Sequence, residues 1–288
     1  PARFLVLGSA SPALLRQSSE SLAGRIHHHL LNGLSLTEVG EDATRRLLLR
    51  GGLPRSFLAR TNAESMAWRS QFIATFLQRD LPQLGVSTPA STLRKFWTMV
   101  AHYHGQLWNG AEVARSLGVS QPTVRKYLDL LEATFVVRRL LPWHENLKKR
   151  QVKSPKVYLD DTGLLHCLLN LPSQVDLDRH PKSGASWESF AMRAVVARLQ
   201  VRWEECFFWA THQGAELDLL VVRGRQRLAF EFKRTAAPRV TPSMHIATKD
   251  LELPLLRVVH PGDHTFRMGT GIEAVALSDL ESCLRPLR

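Results

Sequence analysis

No Gly-Lys-Ser or Gly-Lys-Thr occurs in the 288 residues, so the glycine-rich loop that cradles nucleotide phosphates is missing, along with its lysine. Long apolar runs are absent too. None approaches the roughly 18–20 residues that a bilayer-crossing helix needs, which excludes a spanning segment of that kind. The first residues lack the charged-then-apolar layout of a secretory signal. Cysteine is scarce: Cys167, Cys206 and Cys283 are far apart and odd in number. They have neither zinc-ligand spacing nor a disulfide framework, which leads us to expect structural thiols and a reducing cytoplasm. Internal repeats and low-complexity tracts are also lacking.

Acidic residues are the minority charge, 26 against 38 Lys and Arg, for a formal net charge of +12. A basic surface gains free energy by displacing counterions from a polyanion, so nucleic acid is the expected partner. Arg dominates over Lys, a bias that a GC-rich genome also produces. The apolar content of 44% is that of an ordinary globular chain.

The run Phe4-Leu-Val-Leu-Gly-Ser9 reads as a buried strand almost at the start of the chain, and a domain opening this way is expected to be a fragment. Residues 41–87 read as helical, interrupted by Gly51, Gly52 and Pro54, with Trp68, Phe72, Phe76 and Leu77 as the apolar positions of one helix. A basic cluster follows later at Lys148, Lys149, Arg150, Lys153 and Lys156. His27, His28 and His29 look like a metal tract, but alternation along a strand splits their rings between two faces, so they are read as structural.

Ala111 to Leu117 is a short helix, Gly118-Val-Ser120 a tight turn, and Ser120 the cap of a second helix from Gln121 to about Ala133. Val124, Tyr127, Leu128 and Leu131 fall on one face of that helix. Gln121, Thr123, Arg125 and Lys126 lie on the other, residue types that contact bases and phosphates. The stretch Phe135 to Trp143 supplies a wing strand. The unit resembles a winged helix, which either binds DNA or docks protein.

The sharpest chemistry lies in Glu216 to Val222 and Arg227 to Lys233, two strands joined at Gly224 and Arg225. That loop places Asp218 opposite Glu231 and Glu216 opposite Lys233. Directly paired Cβ atoms are about 4.5–5.5 Å apart, close enough for two carboxylates to hold one divalent cation. Leu217, Leu219, Val221, Leu228, Phe230 and Phe232 form the opposite, wholly apolar face. Glu188, near the start of a helix that buries Trp187, Phe190, Ala191, Ala194 and Val195, can reach the same place. One reading is a magnesium site, with Asp218 and Glu231 as metal ligands and Lys233 orienting water or stabilising charge. The other is a surface ladder in which Glu216 pairs with Lys233 and the remaining charges are solvated. The apolar neighbours Leu220, Val222 and Ala229 favour a partly covered site.

From Gly184 to about Lys233 the pattern resembles the PD-(D/E)XK nuclease superfamily, which implies Glu188, Asp218, Glu231 and Lys233 as the catalytic set. A narrower resemblance covers nearly the whole chain. Phe4 to Ser11, Ser21-Leu-Ala-Gly-Arg25, Gly51-Gly-Leu-Pro54, Arg79-Asp-Leu81, Tyr158-Leu-Asp-Asp-Thr-Gly-Leu164 and Gly214-Ala-Glu-Leu-Asp218 occur in an order similar to that of prokaryotic AAA-type ATPases carrying a C-terminal domain of unknown function. That resemblance implies an α/β chain. Residues 1–40 would be the remnant of a P-loop ATPase core, 41–87 a helical linker, and 88–145 a winged helix-turn-helix. A connector at 146–185, a restriction-endonuclease-like α/β domain at 186–270 and a tail at 271–288 would complete it. It also implies Ser9 or Ser11 in a sensor strand and Arg25 as a phosphate sensor, with ATP bound only if the absent N-terminal P-loop is supplied. Val157 to Asp161 imitates a magnesium-holding strand, but its place so far downstream and the Thr-Gly-Leu after it argue for a structural turn. DNA is the expected partner and magnesium the expected cofactor. No membrane contact is expected, oligomerisation and a protein partner stay open, and the alternative is a non-catalytic protein-interaction or regulatory module that keeps the nuclease-like fold.

Overall fold

The computed structural model describes residues 31–144 and 151–287. Ser9, Ser11, Arg25, the three consecutive histidines, Lys148, Lys149 and Arg150 lie outside the described residues.

Helix α1 (Thr44–Arg50) stops at Gly51, whose φ of 77° suits a residue without Cβ. Helix α2 (Asn62–Thr75) is capped by Thr61, whose side chain accepts from the Glu64 N–H at 3.1 Å. The apolar stripe expected on α2 is displaced. Trp68 and Phe72 are half-buried, whereas Arg69 is fully enclosed. The reason is a row of carbonyls that needs a donor: the Arg69 guanidinium donates to Gly163 O at 2.6 Å, Ser65 O at 3.2 Å and Leu49 O at 3.3 Å.

Helix α3 (Ala90–His102) leads to strand β1 (Gln106–Leu107) and then to the expected pair of helices, α4 (Gly110–Leu117) and α5 (Gln121–Ala133). Gly118 between them is left-handed at φ 67°, and Ser120 Oγ accepts from the Thr123 N–H at 3.3 Å. Val124, Leu128 and Leu131 are buried against α3 and its neighbours. The expected strand after α5 is β2 (Val137–Pro142), antiparallel to β3 (Lys156–Leu159), which also pairs with β1.

The sheet does not end there. Strand β2 takes β4 (Cys206–Ala210) in parallel on its other edge, with Leu141 beside Phe207 and Pro142 beside Phe208. Next come β5 (Glu216–Arg223), β6 (Gln226–Phe232), β7 (Leu256–His260), β9 (Ile272–Ala276) and β8 (Phe266–Gly269). Among the described residues the fold is therefore mixed α/β, built on a nine-stranded mixed sheet.

Helix α6 (Thr162–Leu168) follows β3, and α7 (Ser183–Leu199) covers one sheet face, setting Trp187, Phe190, Ala191 and Val195 against Leu219, Val221, Phe230 and Phe232. Helix α8 (Pro242–Asp250) covers the other, setting Met244, Ala247 and Leu251 against Leu217, Leu220 and Ala229. Coverage on both faces is why β5 and β6 read as almost continuous apolar runs, each buried large side chain contributing about 1.5–3 kcal/mol. All three cysteines are free thiols, and burial pushes Cys206 up to about 12. Among the described residues no helix is long and apolar enough to cross a membrane.

Two enclosed histidines tie the helices to the sheet. His104 Nδ1 accepts from the Leu159 N–H at 3.0 Å and its Nε2 meets Ser189 Oγ at 2.9 Å. His166 Nδ1 lies 2.9 Å from Leu49 O and its Nε2 lies 2.7 Å from Ser186 Oγ. Burial, helped by Lys182 and the other histidine, lowers His104 to about 3; burial lowers His166 to about 4, Arg69 and His180 adding to the effect while the Leu49 carbonyl opposes it. Both rings are neutral in the fold and take up protons on unfolding. Their contribution is complete above about pH 6.5 and is lost as pH falls towards 4, by up to roughly 1.4 kcal/mol per pH unit for each ring. Thermal melts from pH 6.5 to 4.5 should therefore show a Tm that falls more steeply in wild type than in a variant without these two rings, whatever the buried carboxyls contribute to both. A His104→Gln/His166→Gln variant with an equally steep fall would disprove the assignment.

Candidate functional site

The hairpin forms as its sequence demands. Gly224 has φ 59°, and the β5–β6 ladder runs from Arg223 opposite Gln226 to Leu219 opposite Phe230, the expected register. Beyond Leu219 it departs from a straight ladder. The β4–β5 register slips by one between Phe207/Leu220 and Trp209/Leu217, so that Asp218 and Leu219 together face Phe208. A bulge of this kind re-aims side chains. Leu217 accordingly shares a core with Leu220, three positions away, beneath α8.

Asp218, Glu231 and Lys233 are brought together. The N–H of Phe232 donates to Asp218 Oδ2 at 3.0 Å, the Asp218 and Glu231 side chains share a hydrogen bond, and Lys233 Nζ lies 2.8 Å from Glu231 Oε2. Asp218 is 8% exposed and Glu231 4%. The solvated ladder is therefore not what forms. Nor are Leu220 and Ala229 partly covered: both are fully buried under α8. Burial and the adjacent Asp218 push the Glu231 carboxyl up to about 8, against the pull of Lys233. For Lys233, burial opposes the charge, but Glu231 and Asp218 outweigh it and raise its pKa.

Glu216 does not meet Lys233. The start of β5 pairs with β4, Glu216 beside Ala210, and is held there by Ser243, whose Oγ accepts from the Glu216 N–H at 2.6 Å and donates to its carbonyl at 2.8 Å. The end of β6 leaves in the opposite direction, the Lys233 N–H donating to Val259 O at 3.0 Å. Glu216 forms its ion pair with Lys156 instead.

Lys156 and Tyr158 are the members that the sequence did not single out. They lie on one face of β3, two residues apart. The Lys156 ammonium, on a residue only 5% exposed, is 3.6 Å from Glu188 and 3.9 Å from Asp218 and also pairs with Glu216. Tyr158 Oη donates to Glu188 Oε1 at 2.5 Å. Glu188 thus reaches the cluster through Lys156 and Tyr158. Burial pushes it up to about 7; Lys156 and the Tyr158 hydroxyl pull down, while Asp218 and Glu216 add to the push. Burial opposes the Lys156 charge, but Tyr158 and the three carboxylates outweigh it and hold its pKa well above the usual lysine range. The one signal in the sequence was a lysine directly preceding an apolar strand-like run, Val157 to Leu159.

The donor chemistry suits a hard cation: Asp218 and Glu231 offer buried carboxyl oxygens joined by a hydrogen bond. Among the described residues no three His, Cys, Asp or Glu side chains converge as metal ligands. The carboxylates are paired instead with Lys156 and Lys233.

On α5, Gln121, Arg125 and Lys126 are exposed, whereas Thr123 is half-buried and its hydroxyl meets Ser120 Oγ at 2.9 Å. Asp160 and Asp161 are structural, as the turn reading expects. Asp160 pairs with Arg138 and, at 3.0 Å, with Arg193, while Asp161 accepts from the Leu164 N–H at 2.9 Å and the Gly52 N–H at 2.7 Å.

Two family models match the chain, both domains of unknown function: DUF8612 over residues 41–175 and DUF4143 over residues 183–280. The second is a domain often associated with AAA-type ATPases. The uncharacterized proteins Rv2008c of Mycobacterium tuberculosis and Mb2031c of Mycobacterium bovis are each 53% identical over 275 residues, 96% of this chain. The chain spans 62% of the length of these relatives. Among solved structures, the transcriptional regulator PA3341 is 25% identical and covers 48% of this chain and 96% of its own, at a TM-score of 0.21.

Proposed function

We propose that this chain is the DNA-acting segment of an AAA-type ATPase family protein, and that its carboxylate–lysine cluster is a magnesium-dependent site for phosphodiester cleavage. The observation that carries this is the meeting of Asp218, Glu231 and Lys233 at the bulged end of the β5–β6 hairpin. By this reading helix α5 and the strands beside it form a winged helix on which Arg125 and Lys126 contact DNA phosphates, while Gln121 and Thr123 lie towards the bases. The β4–β7 region and α7 form the nuclease-like part.

Asp218 and Glu231 would hold the ion. Bound there, magnesium supplies a Lewis acid for a phosphate oxygen and acidifies water. Glu231, held up near 8, gives up its proton when a cation arrives, so cation affinity rises with pH. Lys233, already aligned on Glu231, is placed to stabilise charge developing on the phosphate. ATP acts on this chain only through a phosphate loop that the sequence does not contain.

A second reading has its own observation. Lys156 and Lys233 already pair with Glu188, Glu216, Asp218 and Glu231, as they would in a non-catalytic platform for a protein partner. Duplex-DNA binding measured against salt, together with plasmid nicking with and without magnesium, separates the two. The DNA-acting reading expects log affinity to fall with log salt and the slope to shrink by about 1–2 in Arg125→Ala/Lys126→Ala, with nicking only in magnesium. Affinity indifferent to salt, or no nicking on any DNA, leaves the platform in front.

A further inference from the structure

We infer that Lys156, carried by β3 from the helix–turn–helix side of the sheet, is the built-in counter-ion of the acidic cluster and competes with a divalent cation for it. This rests on reading Asp218 and Glu231 as a cation-binding centre, and adds a regulator that the nuclease-like hairpin does not itself contain.

Three observations support it. The ammonium lies within 4 Å of carboxylates from two separate elements, Glu188 on α7 and Glu216 and Asp218 on β5. It is not a loose surface lysine, because β3 is paired on both edges, with Lys156 opposite Leu107 of β1 and Leu140 of β2, and Phe208 underlies the ammonium at 5.5 Å. Tyr158, on the same face, fixes Glu188 by donating to it, which holds that carboxylate in the lysine's reach. An ion entering beside Asp218 meets a positive charge already in place, and like charges in a water-poor site repel strongly. The ammonium has an outlet at the rim, where the Glu216 side chain is 42% exposed. A long flexible stem lets it follow Glu216 outwards while β3 stays fixed.

The experiment is a magnesium titration by calorimetry on the whole chain, comparing wild type, Lys156→Met, Lys156→Gln and Lys156→Met/Asp218→Asn, with thermal melts in the presence and absence of magnesium. Lys156→Met should bind magnesium at least about tenfold more tightly than wild type, and magnesium should raise its Tm by more than it raises that of wild type. The added Asp218→Asn should abolish both gains. Should Lys156→Met fail to fold alone, recovery of its melt, or that of Lys156→Gln, in millimolar magnesium supports the inference, and failure to recover in either overturns it. Equal or weaker binding by a folded Lys156 variant, with wild type still binding through Asp218, overturns the counter-ion role and leaves the cation centre standing. Absence of binding in wild type and all variants overturns the cation centre itself.

Discussion

Gly163→Ala should destabilise the fold by about 3 kcal/mol or more, a fall in Tm of roughly 6–12 °C for a chain of this size. A Cβ at position 163 would lie 2.0 Å from the Arg50 carbonyl oxygen and 2.8 Å from the Gly51 nitrogen, both backbone atoms that cannot rotate away. The Gly51-Gly52 turn and the first turn of α6, capped by Asp161, pack main chain against main chain. A Cβ on Gly51 would likewise strike Asp161 Oδ1 at 2.1 Å. The contact is filled with hydrogen bonds: Asp161 spans Gly52 and Leu164, and Arg69 spans Gly163, Leu49 and Ser65. Separating the two turns leaves those groups unsatisfied in a closed interior, which adds to the steric cost. Gly184→Ala is the control. It lies in the first turn of α7 with nothing within 4 Å of its Cβ, so alanine should be neutral or stabilising by up to about 1 kcal/mol. Chemical denaturation of the two variants checks this; equal stabilities would show that the turns are not in backbone contact.

This contact also explains something of the sequence. Gly51-Gly-Leu-Pro54 and Tyr158 to Leu164 entered as two motifs of a resemblance with no visible link, and they are two sides of one joint. What could be read in advance was local. The hairpin register followed from one glycine, and the α4–α5 turn followed from Gly118 and the Ser120 cap, because each depends only on neighbours in the chain. The bulge at Asp218 and Leu219 was not legible, since it is imposed by β4 across the sheet. Lys156 was hidden for a similar reason. Its role depends on β3 lying beside β2, β2 beside β4, and α7 folding back over all of them, and no local pattern encodes that order. Reading Lys156 as one more member of a basic cluster was the natural consequence. Arg69, in the middle of a helix expected to bury tryptophan, shows the same limit: only the carbonyls it serves explain its burial.

If the cluster acts as proposed, Asp218→Asn should abolish magnesium-dependent cleavage, while making the protein more stable at alkaline pH. The loss should exceed about 100-fold, because this residue would hold the ion itself, beyond the 10–100-fold typical of residues that only support a ligand. The stability gain follows from the direction of the pKa shifts. Burial and Asp218 raise Glu231 to about 8, and burial raises Glu188 to about 7, with Asp218 contributing. Groups raised in this way stabilise the fold fully below about pH 4.5, and that contribution is lost as pH rises through 7 and 8, at up to roughly 1.4 kcal/mol per unit for each group. An asparagine keeps the acceptor for the Phe232 N–H but removes the charge that both glutamates oppose. Tm in the variant should therefore decline less steeply between pH 6.5 and 8.5, a window above the one in which His104 and His166 act in the opposite sense. Melts across that window and nicking assays at pH 8 measure the two effects on the same preparations. A variant less stable than wild type at pH 8.5 would show that Asp218 is needed as an anion for Lys156, and unchanged nicking would remove Asp218 from the proposed chemistry. A gain in stability joined to a loss of cleavage is the mark of a charge kept for function, since two buried carboxylates in contact are a cost the fold alone has no reason to bear.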